Sequence, residues 1–107
     1  MRELGKHMQT ITDGISREDW ALVAKVAPLI ADHPQPPLGE RMRVLALVGS
    51  DVSTFRDLDE KTHQAAKMLE HDAMRDDGNR VITDFGRLQS SCFACHQSFR
   101  KSFTDHF

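Results

Sequence analysis

Tyrosine is missing from this 107-residue chain, tryptophan occurs once and cysteine twice. Runs of β-branched residues are scarce as well, while Ala, Leu, Met, Glu, Lys and Arg abound, a balance that favours helix over sheet. Neither sign of charge dominates. The net charge is −2 with 28% charged residues, which gives no basis for binding nucleic acid or an anionic membrane surface. No apolar run approaches the roughly 18 residues that span a bilayer. The opening Met1-Arg2-Glu3-Leu4-Gly5-Lys6 lacks the apolar segment of a signal peptide. Internal repeats and low-complexity segments are absent too. What these absences leave is one small domain, residues 1–107, with room for a single core.

Both cysteines fall in one stretch near the C-terminus, Ser91-Cys92-Phe93-Ala94-Cys95-His96-Gln97-Ser98-Phe99-Arg100. Cys-x-x-Cys-His is the spacing of a c-type haem attachment site. The chemistry needs two thiols to add to the vinyl groups on one edge of the porphyrin while an imidazole reaches the iron from one face. At about 100° per residue on a helix, Cys95 lies about 300° and His96 about 40° round from Cys92, so the three share a face. Other uses of this stretch fit less well. A zinc site wants four ligands at set spacing, and His7, His33, His63, His71 and His106 supply no matching pair. A thioredoxin-like motif wants a strand leading into a helix, and no strand pattern lies nearby.

Apolar spacing along the chain predicts four helices. The first covers residues 2–15, with Met1, Leu4, Met8, Ile11 and Ile15 on one stripe, and ends at Gly14 and Ser16. Ser16-Arg17-Glu18-Asp19 reads as a capping box for the second, Ser16 at the N-cap and Asp19 at N3. That helix carries Trp20, Val23, Ala24, Ala27, Ile30 and Ala31 inward, with a kink or early end expected at Pro28. His33 to Gly39, with three prolines, is a rigid connector. The helical pattern resumes from Glu40 to about Arg75 through Met42, Leu45, Val48, Val52, Phe55, Leu58, Thr62, Ala65, Leu69 and Ala73, with a break expected at Gly49-Ser50. Asp76 to Asn79 is a turn. The last helix, about Arg80 to Asp105, turns Val81, Phe85, Leu88, Cys92, Cys95, Phe99 and Phe103 inward. Four amphipathic helices with short connections predict an all-α, antiparallel up-down-up-down four-helix bundle. In that topology the first helix runs antiparallel beside the fourth.

The chain resembles the class II c-type cytochromes, that is, cytochrome c′ and its low-spin, methionine-ligated relatives. The likeness rests on attachment near the C-terminus of a four-helix chain and on Cys92 to Arg100, which match the ending Cys-x-x-Cys-His-x-x-aromatic-basic. Ala24-Lys25-Val26-Ala27-Pro28 and the spacing from Phe55 to Cys92 add to it. The resemblance implies thioether links from Cys92 and Cys95 to one haem c and His96 as the proximal iron ligand. It also implies that Phe99 and Arg100 lie under the haem or near its propionates. Arg87, Arg100 and Lys101 are candidates to pair with those propionates.

Members of this family differ in what a residue of the first helix does at the iron's other face. A methionine there makes a low-spin electron carrier, since a thioether favours reduced iron; an apolar residue leaves five-coordinate iron open to nitric oxide or carbon monoxide. Met1 and Met8 are the candidates. Met1-Arg2-Glu3-Leu4-Gly5-Lys6-His7-Met8 resembles the low-spin segment in which the first methionine is the ligand. A comparable overhang of the first helix past His96 would instead select Met8, and Leu4 over the iron would give the gas-binding form. His7, His63 and His71 are better read as surface histidines, and Glu60, Glu70 and Asp72 as outer-face residues of the third helix without catalytic geometry.

The resulting expectation is a periplasmic, non-enzymatic electron carrier whose partially exposed haem edge meets transient redox protein partners. Covalent haem attachment normally occurs outside the cytoplasm, so its leader is expected to have been removed or to lie outside this sequence. A homodimer through the first two helices is compatible with the resemblance. The alternatives are a five-coordinate cytochrome c′ binding NO or CO, and a haem sensor module of a larger protein.

Overall fold

In the computed structural model the described residues are 2–31, 42, 46, 49 and 52–106; the side chains of 2, 52 and 99–106 fall outside the description. They form four helices and no strand: α1 (Arg2–Ser16), α2 (Trp20–Ala31), α3 (Val52–Met74) and α4 (Gly78–His106). The chain thus folds as the expected all-α four-helix bundle. The predicted connector His33 to Gly39 lies outside the described residues. Met42 and Ala46 are helical, and Gly49 has φ 51°, a left-handed conformation that glycine adopts at little cost and that sets α3 off from what precedes it.

Two turns of identical construction define one end of the bundle. After α1, Glu18 takes φ 55°, its N–H donates to the Ile15 carbonyl (3.1 Å) and the Asp19 N–H donates to the Gly14 carbonyl (2.8 Å). After α3, Asp76 takes φ 54°, with Asp76 N–H to the Ala73 carbonyl and Asp77 N–H to the Asp72 carbonyl, both 3.1 Å. Each is a Schellman closure, which satisfies carbonyls that the helix end leaves unpaired. In each the next residue is an aspartate that caps the following helix: Asp19 Oδ1 accepts from the Leu22 N–H and Asp77 Oδ1 from the Arg80 N–H, both at 3.2 Å. Asp19, not Ser16, is therefore the N-cap of α2; Ser16 is still helical, the last residue of α1. The turn before α4 is also shorter than expected, so α4 starts two residues early, at Gly78.

α2 runs through Pro28 to Ala31 rather than stopping there. Proline withdraws only the one N–H that would bond the Ala24 carbonyl. Val23, Val26, Ala27 and Ile30 are all buried and hold the final turn in place. With Ile11 from α1, Ala66, Leu69 and Ala73 from α3, and Val81, Phe85 and Leu88 from α4, they make one continuous core. Fully burying a side chain such as Leu69 or Leu88 stabilises the fold by roughly 1.5–3 kcal/mol. α2 and α3 pack along each other, α1 lies on α2, and α4 lies on α3; α1 and α4 meet in only a few places. Among the described residues α1 and α4 are the most loosely packed of the neighbouring helix pairs.

Candidate functional site

Cys92 lies at the midpoint of α4 and Cys95 and His96 just beyond it, away from the two turns. Both thiols are free and half-buried. Cys92 packs against the core, whereas His96 is exposed. Burial pushes both thiols up from their ordinary value of 9.0, with the nearby Asp59 carboxylate adding to the effect at Cys95. For Cys92 its own backbone and the Ser91 side chain, by hydrogen bonding, work against that rise.

α3 holds this segment through a polar seam. The Thr62 hydroxyl lies 3.0 Å from Ser91 Oγ and 3.1 Å from the Leu58 carbonyl, and Ser91 Oγ donates to the Leu88 carbonyl at 2.9 Å. The residue just before Cys92 is thereby pinned to both helices. On the other side, Leu4 and Met8 of α1 are half-buried against the same core that Cys92 touches. Cys92 thus shares that core with α1, while Cys95 has the Asp59 carboxylate of α3 nearby.

The common turn end sets the level of each residue along the bundle. At about 1.5 Å per residue, His96 stands about 27 Å above the start of α4 and Cys92 about 21 Å. On α1, measured from Ser16, Leu4 stands about 18 Å up and Met8 only about 12 Å. On this count Met8 stands about 15 Å below the level of His96. The comparable overhang expected of α1 and α4 does not occur, because α4 rises well past the level of Arg2. Met1 lies outside the described residues. Phe99 and Arg100 fall on α4, with their side chains outside the description.

The remaining sequence candidates are spread out. His7 is half-buried on α1, and His71 is exposed on α3, where it lines a shallow surface groove with Gln64, Lys67 and Met68. His63 has a structural partner: its Nδ1 lies 3.1 Å from the carbonyl of Ala31, the last residue of α2. Arg87, a propionate candidate, pairs with Asp84 at 3.3 Å. Among the described residues no group of three or more His, Cys, Asp or Glu is placed to hold a metal ion.

The expectation for Asp72 was wrong. It is 2% exposed and faces inward, where burial raises its carboxyl from 3.8 to about 6 and the neighbouring carboxyl of Asp84, itself 7% exposed, adds to the rise. The helical period explains this. Asp72 follows Leu69 by three residues and precedes Ala73, so it falls on the apolar stripe of α3. Asp84 stands in the same relation to Val81 and Phe85 on α4. An acid placed on each of two facing stripes was the available signal.

The chemistry that this flank can support is specific. Two neutral thiols one helical turn apart, followed by an imidazole on the same flank, fit a porphyrin held by its edge and ligated from one side. Comparison with protein families matches residues 1–100 to the family described as Cytochrome C′. No curated protein and no solved structure matches the chain.

Proposed function

The chain belongs to the cytochrome c′ family and carries covalently attached haem c, and from that premise we propose that it is a periplasmic electron-transfer protein with His96 and Met1 on the two faces of the iron. The bound haem supplies one-electron exchange between ferric and ferrous iron. The chain's own residues do the rest. Cys92 and Cys95 hold the porphyrin edge, His96 fixes the proximal face, and Thr62 with Ser91 keeps that stretch of α4 in register on α3. Phe99 and Arg100 would flank the haem. α1 supplies the opposite face across the loose seam.

The observation that carries this reading is the single flank of α4 on which Cys92, Cys95 and His96 fall together. The axial levels support Met1 over Met8, since a partner for His96 must come from the N-terminal extreme of α1 or from before it. The same levels make Leu4 the described apolar residue of α1 that comes nearest to His96, about 9 Å short. A five-coordinate, gas-binding haem with Leu4 on its distal side is therefore the second reading. Among the described residues no helix is long and apolar enough to cross a membrane.

Visible spectra of the purified holoprotein, exported behind a cleavable leader, test the assignment. Met1 ligation requires split, low-spin ferrous bands and the weak long-wavelength ferric band of a sulfur–iron bond. Met1→Ala should abolish that band and admit carbon monoxide to ferrous haem, while Met8→Ala should do neither. A wild-type protein that is high-spin and binds carbon monoxide directly would select the five-coordinate reading.

A further inference from the structure

Thr62 and Ser91 fix the register of α3 against α4, and that register brings a carboxylate beside the attachment residues. Their hydroxyls meet at 3.0 Å. The two helices pack antiparallel from the turn that joins them. One helical turn further from that end, α3 presents Asp59 where α4 presents Cys95. Helical period gives the side. Asp59 lies one heptad before Ala66 and two before Ala73, both buried, so it continues the inner stripe of α3.

The described part of α2 stops below it. His63 Nδ1 lies 3.1 Å from the carbonyl of Ala31, the last residue of α2, and Asp59 stands one turn beyond His63. The carboxylate is therefore on an inner stripe yet exposed, at the level of the two thiols. Its charge reaches Cys95: after burial, Asp59 is the largest influence raising that thiol. Asp57, two residues earlier, is turned by about 200° to the outer side and is exposed too.

We propose that Asp59 sets the redox poise of this protein: its carboxylate, held beside the Cys95 attachment, favours ferric over ferrous haem and so lowers the reduction potential. The inference rests on the proposed attachment through Cys92 and Cys95 and is independent of the ligand opposite His96. Asp59 forms no bond to the haem and exchanges no proton. Its negative charge attracts the ferric state, which carries one more positive charge than the ferrous, and one-electron reduction by a partner forfeits part of that attraction. Because the carboxylate is exposed, water and salt screen the effect and keep it modest.

Potentiometric titration of the holoprotein tests this, with Asp59→Asn set beside Asp57→Asn. Asp59→Asn should shift the balance two- to fivefold toward ferrous haem at low salt, a rise of about 20–40 mV at about 59 mV per tenfold. The rise should shrink in about 1 M salt, where the screening length is about 3 Å. Asp57→Asn removes the same charge from the other side of α3 and should give less than half that rise. Equal rises in the two variants, or an unmoved potential in Asp59→Asn, would overturn the proposal. If Asp59→Asn does not fold, Asp59→Ser removes the same charge with a smaller side chain and must shift the potential the same way. Visible spectra of wild type and variants should coincide; a variant spectrum that departs from wild type would trace the shift to altered ligation and overturn the proposal. Failure of Met1 ligation would instead show in the wild-type spectrum and leave the shift between variants in place.

Discussion

Replacing Gly78 with alanine should destabilise the protein, against the usual benefit of removing a helical glycine. Gly78 is the first residue of α4, and the six-membered edge of the Trp20 indole lies across it. A Cβ built there would sit 2.9 Å from Trp20 Cζ2 and 3.2 Å from Cη2, closer than carbon atoms pack. The ring is rigid and wedged against the core, so relief requires moving Trp20 or the start of α4. Overpacking of this kind costs about 1–3 kcal/mol. Alanine returns at most about 1 kcal/mol through helix propensity, and less in a first turn. The net loss should be about 1–2 kcal/mol, which for a domain of this size lowers the melting temperature by at least about 4 °C.

Gly86, on the same helix, provides the control. A Cβ there meets nothing within 4 Å, so Gly86→Ala should raise stability by about 0.5–1 kcal/mol. Melting followed by far-ultraviolet circular dichroism reads both. Combining Gly78→Ala with Trp20→Phe should recover part of the loss, because the smaller ring vacates the contact. The reasoning is refuted if Gly78→Ala melts at or above the wild-type temperature, or if the double variant is additive within about 0.5 kcal/mol.

Leu69→Ala empties a fully buried position on α3, where α2 and α4 flank it, and should cost about 2–5 kcal/mol in chemical denaturation with an unchanged slope. Asp19→Ala removes the side-chain cap from the Leu22 N–H and should cost about 1 kcal/mol, whereas Ser16→Ala should be close to neutral; the reverse order would restore Ser16 as the cap. Cys95→Ala should leave a haem held through Cys92 alone, visible by mass spectrometry as a single thioether adduct and by a shifted ferrous absorption band. The exposed Arg17–Asp13 ion pair, at 3.0 Å, should contribute under about 1 kcal/mol, so Arg17→Ala should scarcely move the melting temperature.

How far the sequence could be read depended on whether a feature was local. Helical periodicity located all four helices, because burying one stripe per helix is a constraint that each segment states by itself. The attachment motif was legible for the same reason: its three residues fall within a stretch of five. The N-cap of α2 went to Ser16 because a serine three residues before an acid fits a capping box. What the sequence hides is that Glu18 adopts a left-handed conformation, which lets α1 run on to Ser16 and hands the cap to Asp19. Asp72 was misplaced because charge was read before period. Its angular position beside Leu69 and Ala73 outranked its polarity, and burial there holds its carboxyl above the usual carboxylate range.

The distal ligand depends on neither kind of local signal. Counting from the chain's two ends suggested that α1 and α4 overhang alike and so favoured Met8. Counting from the turns points instead to the N-terminal end of α1, the side to which the resemblance already leaned. Arg17-Glu18-Asp19 and Arg75-Asp76-Asp77 fold alike and lie side by side, as the contact of Trp20 with Gly78 records. Both helices can therefore be measured from that shared floor, where α1 offers 15 residues and α4 offers 29. His96 then stands above every described residue of α1. In the coordination proposed here, a ligand opposite His96 would come from the N-terminal extreme of α1, so that proposal at one end of the bundle rests on two three-residue turns at the other.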